Sequence, residues 1–159
     1  MPALTIATAP VLFALLALAP LPAGPPATTT FPGLTVTVTL SPRARQTLLA
    51  RRETVIVSAE ITAFPQPGVS RKFLDGEGQL DLGNATTEIL PGRSGLFKTF
   101  SLSAAPLRRV DKRGPQLLIN VYSGRKSSPD NLIDCGIYEG PLSAVENKTI
   151  PIACKLIGE

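Results

Sequence analysis

The chain has two cysteines, Cys135 and Cys154, twelve acidic residues and no histidine. That inventory limits the chemistry it can carry. Without histidine there is no Ser-His-Asp triad, no Cys-His nucleophile and no imidazole metal ligand. A structural zinc site needs four ligands, which two cysteines cannot supply. No C-x-x-C spacing or Gly-rich phosphate loop occurs. The cysteines are therefore expected to pair with each other in a structural disulfide. Asp75, Glu77 and Asp81 are close enough in sequence to offer oxygen ligands to calcium. Their spacing does not match the twelve-residue calcium loop, and solvated acids in a turn are the simpler expectation. Paired carboxylates for glycoside hydrolysis are permitted by residue type, yet nothing singles out a pair. No cofactor is expected.

One stretch concentrates polar groups beside the cysteines. Tyr122–Asp134 (YSGRKSSPDNLID) carries Tyr122, Arg125, Lys126, Asp130, Asn131 and Asp134 as a candidate recognition loop. The plainer alternative is a Pro-Asp-Asn turn in which Arg125 pairs with Asp130 or Asp134. Two glycosylation sequons start at Asn84 and Asn147 and fall at predicted turns or strand edges.

These residues need a scaffold, and hydrophobic spacing supplies one. Leu132–Glu139 and Thr149–Ile157 form an expected hairpin about Gly140–Lys148. One antiparallel register sets Cys135 opposite Cys154, Ile137 opposite Ile152 and Ile133 opposite Leu156. Side chains alternate between faces, so this register gathers the sulfurs and four aliphatic groups on one face. Asp134, Tyr138, Lys155 and Ile157 take the other. Leu34–Leu40 (LTVTVTL) alternates strictly, and Thr54–Ala63 repeats the pattern with Val55, Val57, Ala59, Ile61 and Ala63. Ser41-Pro42 between them reads as an N-cap followed by proline at the first helical position. A short helix over Pro42–Arg51 would put Ala44 and Leu48 on one face; a basic loop is the alternative.

The middle is less regular. Arg71–Leu74 and Gln79–Leu82 flank Asp75-Gly76 as a possible hairpin. Thr86–Leu90 and Leu96–Leu102 flank Pro91-Gly92, which suits a type II turn. Leu117–Tyr122 supplies another strand. About eight or nine short strands and at most one short helix predict an all-β antiparallel β-sandwich, immunoglobulin-like or transthyretin-like in general shape. A small closed β-barrel is the alternative.

Residues 1–30 carry no charged side chain, and Val11–Ala19 is a nine-residue apolar run broken by Pro20 and Pro22. A membrane span needs roughly 20 apolar residues, so no span is expected. The pattern fits a signal peptide over 1–23 with cleavage after Ala23, although it lacks the usual basic start. Residues 24–33 then form a flexible Pro/Thr-rich leader, and 34–159 a single domain. Export to a bacterial periplasm or extracellular space agrees with a disulfide. The net charge of +4 clusters in Arg43, Arg45, Arg51, Arg52; in Arg108, Arg109, Lys112, Arg113; and in Arg125, Lys126. Weak, non-specific polyanion binding follows. Specific nucleic-acid reading does not, because aromatics are only 5% of the chain. The sequence is thus read as a small exported, non-catalytic binding or interaction module. Its expected partner is another protein or a cell-envelope component. The alternative is a small secreted carboxylate-dependent hydrolase.

Overall fold

The structure, a computed structural model, describes residues 27–159. The expected signal peptide and its cleavage point lie outside the described residues. Strand β1 (Thr28–Leu40) leads through helix α1 (Pro42–Ala50) to β2 (Val55–Ala63). Then come β3 (Leu80–Ile89), β4 (Ser94–Ser103), a single helical turn α2 (Ala104–Leu107) and β5 (Gln116–Ser123). The chain closes with β6 (Ile133–Cys135), β7 (Tyr138–Pro141) and β8 (Thr149–Leu156). Two four-stranded sheets form, in the orders β4-β1-β8-β6 and β3-β2-β5-β7. They face each other as the expected sandwich and do not close into the alternative barrel.

Alternation builds the core. Leu34, Val36 and Val38 of β1 and Ile150, Ile152 and Cys154 of β8 point inward from the first sheet. Val55, Val57, Ala59, Ile61 and Ala63 of β2 meet them from the second, with Leu117, Ile119 and Val121 of β5. Helix α1 forms where Ser41-Pro42 predicts it. The Ser41 side chain accepts from the Ala44 N–H at 3.0 Å, a cap worth about 1 kcal/mol. Ala44 and Leu48 are the buried residues of the helix. Burying a leucine fully is worth about 1.5–3 kcal/mol, so Leu48 is what fastens α1 over one end of the sandwich.

Several expectations shift. The leader is shorter than expected: β1 begins at Thr28 and pairs with β4 from Thr28↔Ser103 onward. The pairing keeps one register on both sides of Pro32-Gly33. The buried positions of β4 change phase there, from Gly95 and Phe97 to Phe100 and Leu102. A Cβ at residue 33 would run into the Phe97 carbonyl oxygen, so only glycine permits this approach. Phe97 and Phe100, on either side of this phase change, stack with ring centroids 5.5 Å apart. The sandwich is also not wholly antiparallel, because β1 and β8 pair in parallel from Thr35↔Thr149 to Leu40↔Cys154. Pro91-Gly92 does turn the chain, with Arg93 N–H donating to the Leu90 carbonyl at 3.0 Å and Gly92 at φ 85. It joins β3 and β4 in different sheets, however, so it is no hairpin. Arg71–Phe73 is a single 3-10 turn where a strand was expected. Asp75 Oδ1 accepts from the N–H groups of Glu77 and Gln79, which curls the segment before β3.

The cysteine register is half right. Cys135↔Cys154, Asp134↔Lys155 and Ile133↔Leu156 pair as expected, and the disulfide is present. The Ile137–Ile152 pair does not form. The ladder stops after Cys135, and Tyr138–Pro141 crosses to the second sheet to pair with β5. β2 pairs with only one flank of β5, and β7 fills the other; the crossing also carries Leu142 into the core. Ile137 is left 64% exposed.

Candidate functional site

Strand directions place α1, the 90–93 turn and the 124–132 loop at one end of the sandwich. The loop is built around a residue that sequence reading did not single out. Glu53, just before β2, is 1% exposed. Its Oε1 accepts from the N–H groups of Thr54 (3.0 Å) and Lys126 (3.0 Å). Its Oε2 accepts from Ser127 N–H (2.8 Å) and Ser127 Oγ (2.7 Å). Burial alone would raise the Glu53 pKa; the Lys126 and Ser127 bonds, helped by Thr54, outweigh it and hold the group at about 2. The carboxylate thus stays ionised and satisfied, stitching the start of β2 to a loop far along the chain.

Neighbouring contacts tighten the stitch. Gly124 N–H donates to the Thr54 carbonyl at 2.8 Å. A Cβ at Gly124 would meet Thr54 Oγ1, so the loop passes too close for any other residue. Glu88 takes the remaining groups: Thr54 Oγ1 donates to it at 2.6 Å, and Lys126 Nζ pairs with it at 2.6 Å. Those two partners, Lys126 first, lower the Glu88 pKa.

A second anchor holds the other flank. Buried Ser123 donates through its N–H to Asn131 Oδ1 at 2.9 Å. Ser123 Oγ accepts from Leu132 N–H at 2.9 Å, and Asn131 Nδ2 donates to the Ile133 carbonyl at 2.7 Å. Asn131 therefore closes the loop from inside.

The six candidate loop residues divide accordingly. Arg125, Lys126 and Asp130 lie exposed on the loop. Asn131 is an internal brace. Tyr122 lies on the outer face of the second sheet, opposite Ile56. Asp134 lies on the outer face of the first sheet, 3.8 Å from Lys155. The alternative pairing of Arg125 with Asp130 or Asp134 does not occur among the described ion pairs. The disulfide sits beside the loop, with Cys154 buried and Cys135 partly so.

The basic clusters fall at opposite ends. Arg43, Arg45, Arg51, Arg52 and Arg125 share the α1 end. The Arg108–Arg113 group sits at the other end, against the 64–74 segment. There Arg109 lies over the Phe73 ring (4.0 Å) and Arg113 over Phe64 (3.5 Å), and Arg113 also pairs with Asp111 at 2.8 Å. Asp75, Asp81 and Glu60 line a shallow depression of about 340 Å³ on the outer face of the second sheet. Asp75 and Asp81 use Oδ1 atoms to cap backbone N–H groups. No group of three or more metal-ligating side chains assembles among the described residues, and none of their helices is long and apolar enough to cross a membrane. Asn84 and Asn147 are exposed. No family model, curated protein or solved structure matches the chain.

Proposed function

We propose that the protein is an extracytoplasmic, non-catalytic binding module that engages a protein or cell-envelope component through its 124–132 loop. One observation carries this reading. Glu53 fixes the loop backbone from beneath while Arg125 and Asp130 remain exposed on it. Loop ordering before contact lowers the entropy cost of binding. Polar groups on a rigid scaffold are a common basis for recognition.

Affinity capture from an envelope extract tests the reading. Partner capture should be lost in an Arg125→Gln/Asp130→Asn double variant and retained in Lys112→Gln at the opposite end. Equal capture by all three proteins would refute the loop assignment. Turnover of sugar or ester substrates would refute the non-catalytic one and favour the hydrolase alternative.

A further inference from the structure

The arginines at the α1 end are poorly explained by folding. Arg43 and Arg45 occupy the first half of a helix that has no acid in its first turn, where positive charge opposes the helix dipole. Arg52 and Arg125 adopt left-handed backbone conformations, φ 53 and φ 56, which cost a non-glycine residue free energy. They flank the two segments that Glu53 ties together. Arg43, Arg45, Arg51, Arg52, Arg93 and Arg125 are all exposed, and none has an ion-pair partner among the described residues. Glu53 makes no direct ion pair with them, because backbone donors and Ser127 occupy both of its oxygens, and Glu159, which Arg43 influences, is held by Ser41 and the Leu156 N–H. Glu88 binds Lys126 and Thr54 through Oε1 and makes no ion pair with these arginines.

Large apolar side chains stand among these charges. Leu49 is 53% and Leu90 63% exposed. Arg45 and Leu49 are four residues apart on one face of α1. The Arg45 guanidinium lies about 3.7–3.9 Å from where a Cβ on Gly92 would be, so that face borders the Leu90–Arg93 turn.

We propose that the α1 end docks on an anionic membrane surface. Leu49 and Leu90 enter the headgroup layer, and Arg45, Arg51, Arg52, Arg93 and Arg125 engage lipid phosphates. Charge complementarity selects an anionic partner, and guanidinium forks match phosphate oxygens. The exposed leucines select lipid over a soluble polyanion, which offers them no apolar medium. The inference deepens the binding reading by naming a partner for the same end of the molecule, and the two fail separately. Capture of a protein through Arg125 and Asp130 without vesicle binding would leave that reading intact and remove this one.

Vesicle cosedimentation of the full chain tests it. Because Val11–Ala19 is itself apolar, the readout is the ratio of partitioning onto vesicles with about 30% phosphatidylglycerol to that onto pure phosphatidylcholine. At low salt the ratio should exceed roughly 100, since each surface arginine contributes about fivefold. Arg45→Gln/Arg51→Gln/Arg93→Gln should lower it by roughly 100-fold. Leu49→Ser/Leu90→Ser should lower binding to anionic vesicles by at least roughly tenfold, with heparin retention unchanged. All five side chains are exposed, so unchanged melting temperatures should confirm intact folds. Equal partitioning onto both vesicle types overturns the proposal. So does a leucine double variant that binds anionic vesicles like the parent, which would assign the arginines to a soluble polyanion.

Discussion

Replacing Glu53 with glutamine tests the central brace most directly. The carboxylate has its pKa lowered from 4.5 to about 2. Each pKa unit corresponds to about 1.4 kcal/mol, so the ionised form contributes on the order of 3 kcal/mol. Glu53 is inaccessible to solvent but lies just beneath the exposed Lys126 and Ser127, so about 3 kcal/mol is the upper end of that contribution. A depressed carboxylate pKa contributes stability that is full above the ordinary value and lost as pH falls through the folded value. The window therefore runs from about pH 5 down to about pH 2. Glutamine keeps the shape but turns an N–H₂ group toward donors, either Ser127 N–H and Oγ or the Thr54 and Lys126 N–H groups. Glu53→Gln should therefore cost about 3 kcal/mol at pH 7. Urea unfolding of both proteins across pH supplies the check. Contributions from acids away from the site cancel between the two proteins, and only Glu88 feels the lost Glu53 charge, so the stability difference should shrink from about 3 kcal/mol at pH 6 toward zero near pH 2. A difference that stays constant over that range would mean Glu53 acts by shape alone, and the electrostatic account would fail.

Other outcomes follow from the same structure. The disulfide spans a separation of 19 residues, so reduction should remove about 3 kcal/mol and lower the melting temperature by about 10 °C. Thiol counting on exported, denatured, unreduced protein should find no free thiol. Gly33→Ala would drive a Cβ into the β4 backbone and should cost at least about 2 kcal/mol, read by chemical denaturation. Asn131→Ala should cost about 2 kcal/mol and raise amide exchange at Ser123, whereas Asp130→Ala should change neither. Intact-mass measurement of protein secreted by its native host should show a start near Gly24; recovery of soluble protein that retains residues 1–23 would end the export reading.

Much of the scaffold was legible because period-two alternation dominates it. Leu34–Leu40 and Val55–Ala63 bury their apolar positions on one face, with Ser58 the one buried residue on the other, so most of the burial follows directly from spacing. Ser41-Pro42 marked α1 because capping is a local interaction. Cys135 and Cys154 fixed their own register for the same reason that a one-residue slip would turn one of them outward. What sequence could not show depends on contacts between distant segments. Nothing local tells Tyr138 to leave the first sheet, because the vacancy it fills belongs to β5. Glu53 reads as an ordinary acid in the turn Arg51-Arg52-Glu53-Thr54. Its donors belong to Lys126 and Ser127, and only the assembled sandwich brings them near. The one available signal was an acid placed directly before a strongly apolar strand, which is weak. Asn131 stands out in the sequence as a polar loop residue, but a turn sequence does not reveal whether an amide faces water or the chain.

The parallel pairing of β1 with β8 has a consequence for how the molecule is made. Thr35 lies beside Thr149, so the two middle strands of one sheet come from opposite ends of the fold. On the ribosome, β2, β3 and β5 can pair among themselves as they emerge, but β1 has only β4 on one flank until β8 appears. Such distant pairing slows folding, because loop-closure entropy must be overcome before the contact forms. During that interval the second flank of β1 is an open edge with alternating Val and Thr, a template for pairing with another chain. The threonines of LTVTVTL then act as guards for a nascent strand, keeping one face soluble while it waits for its partner. Synthesis paused before Thr149 should thus yield chains that aggregate through β1, and release of the pause should rescue them.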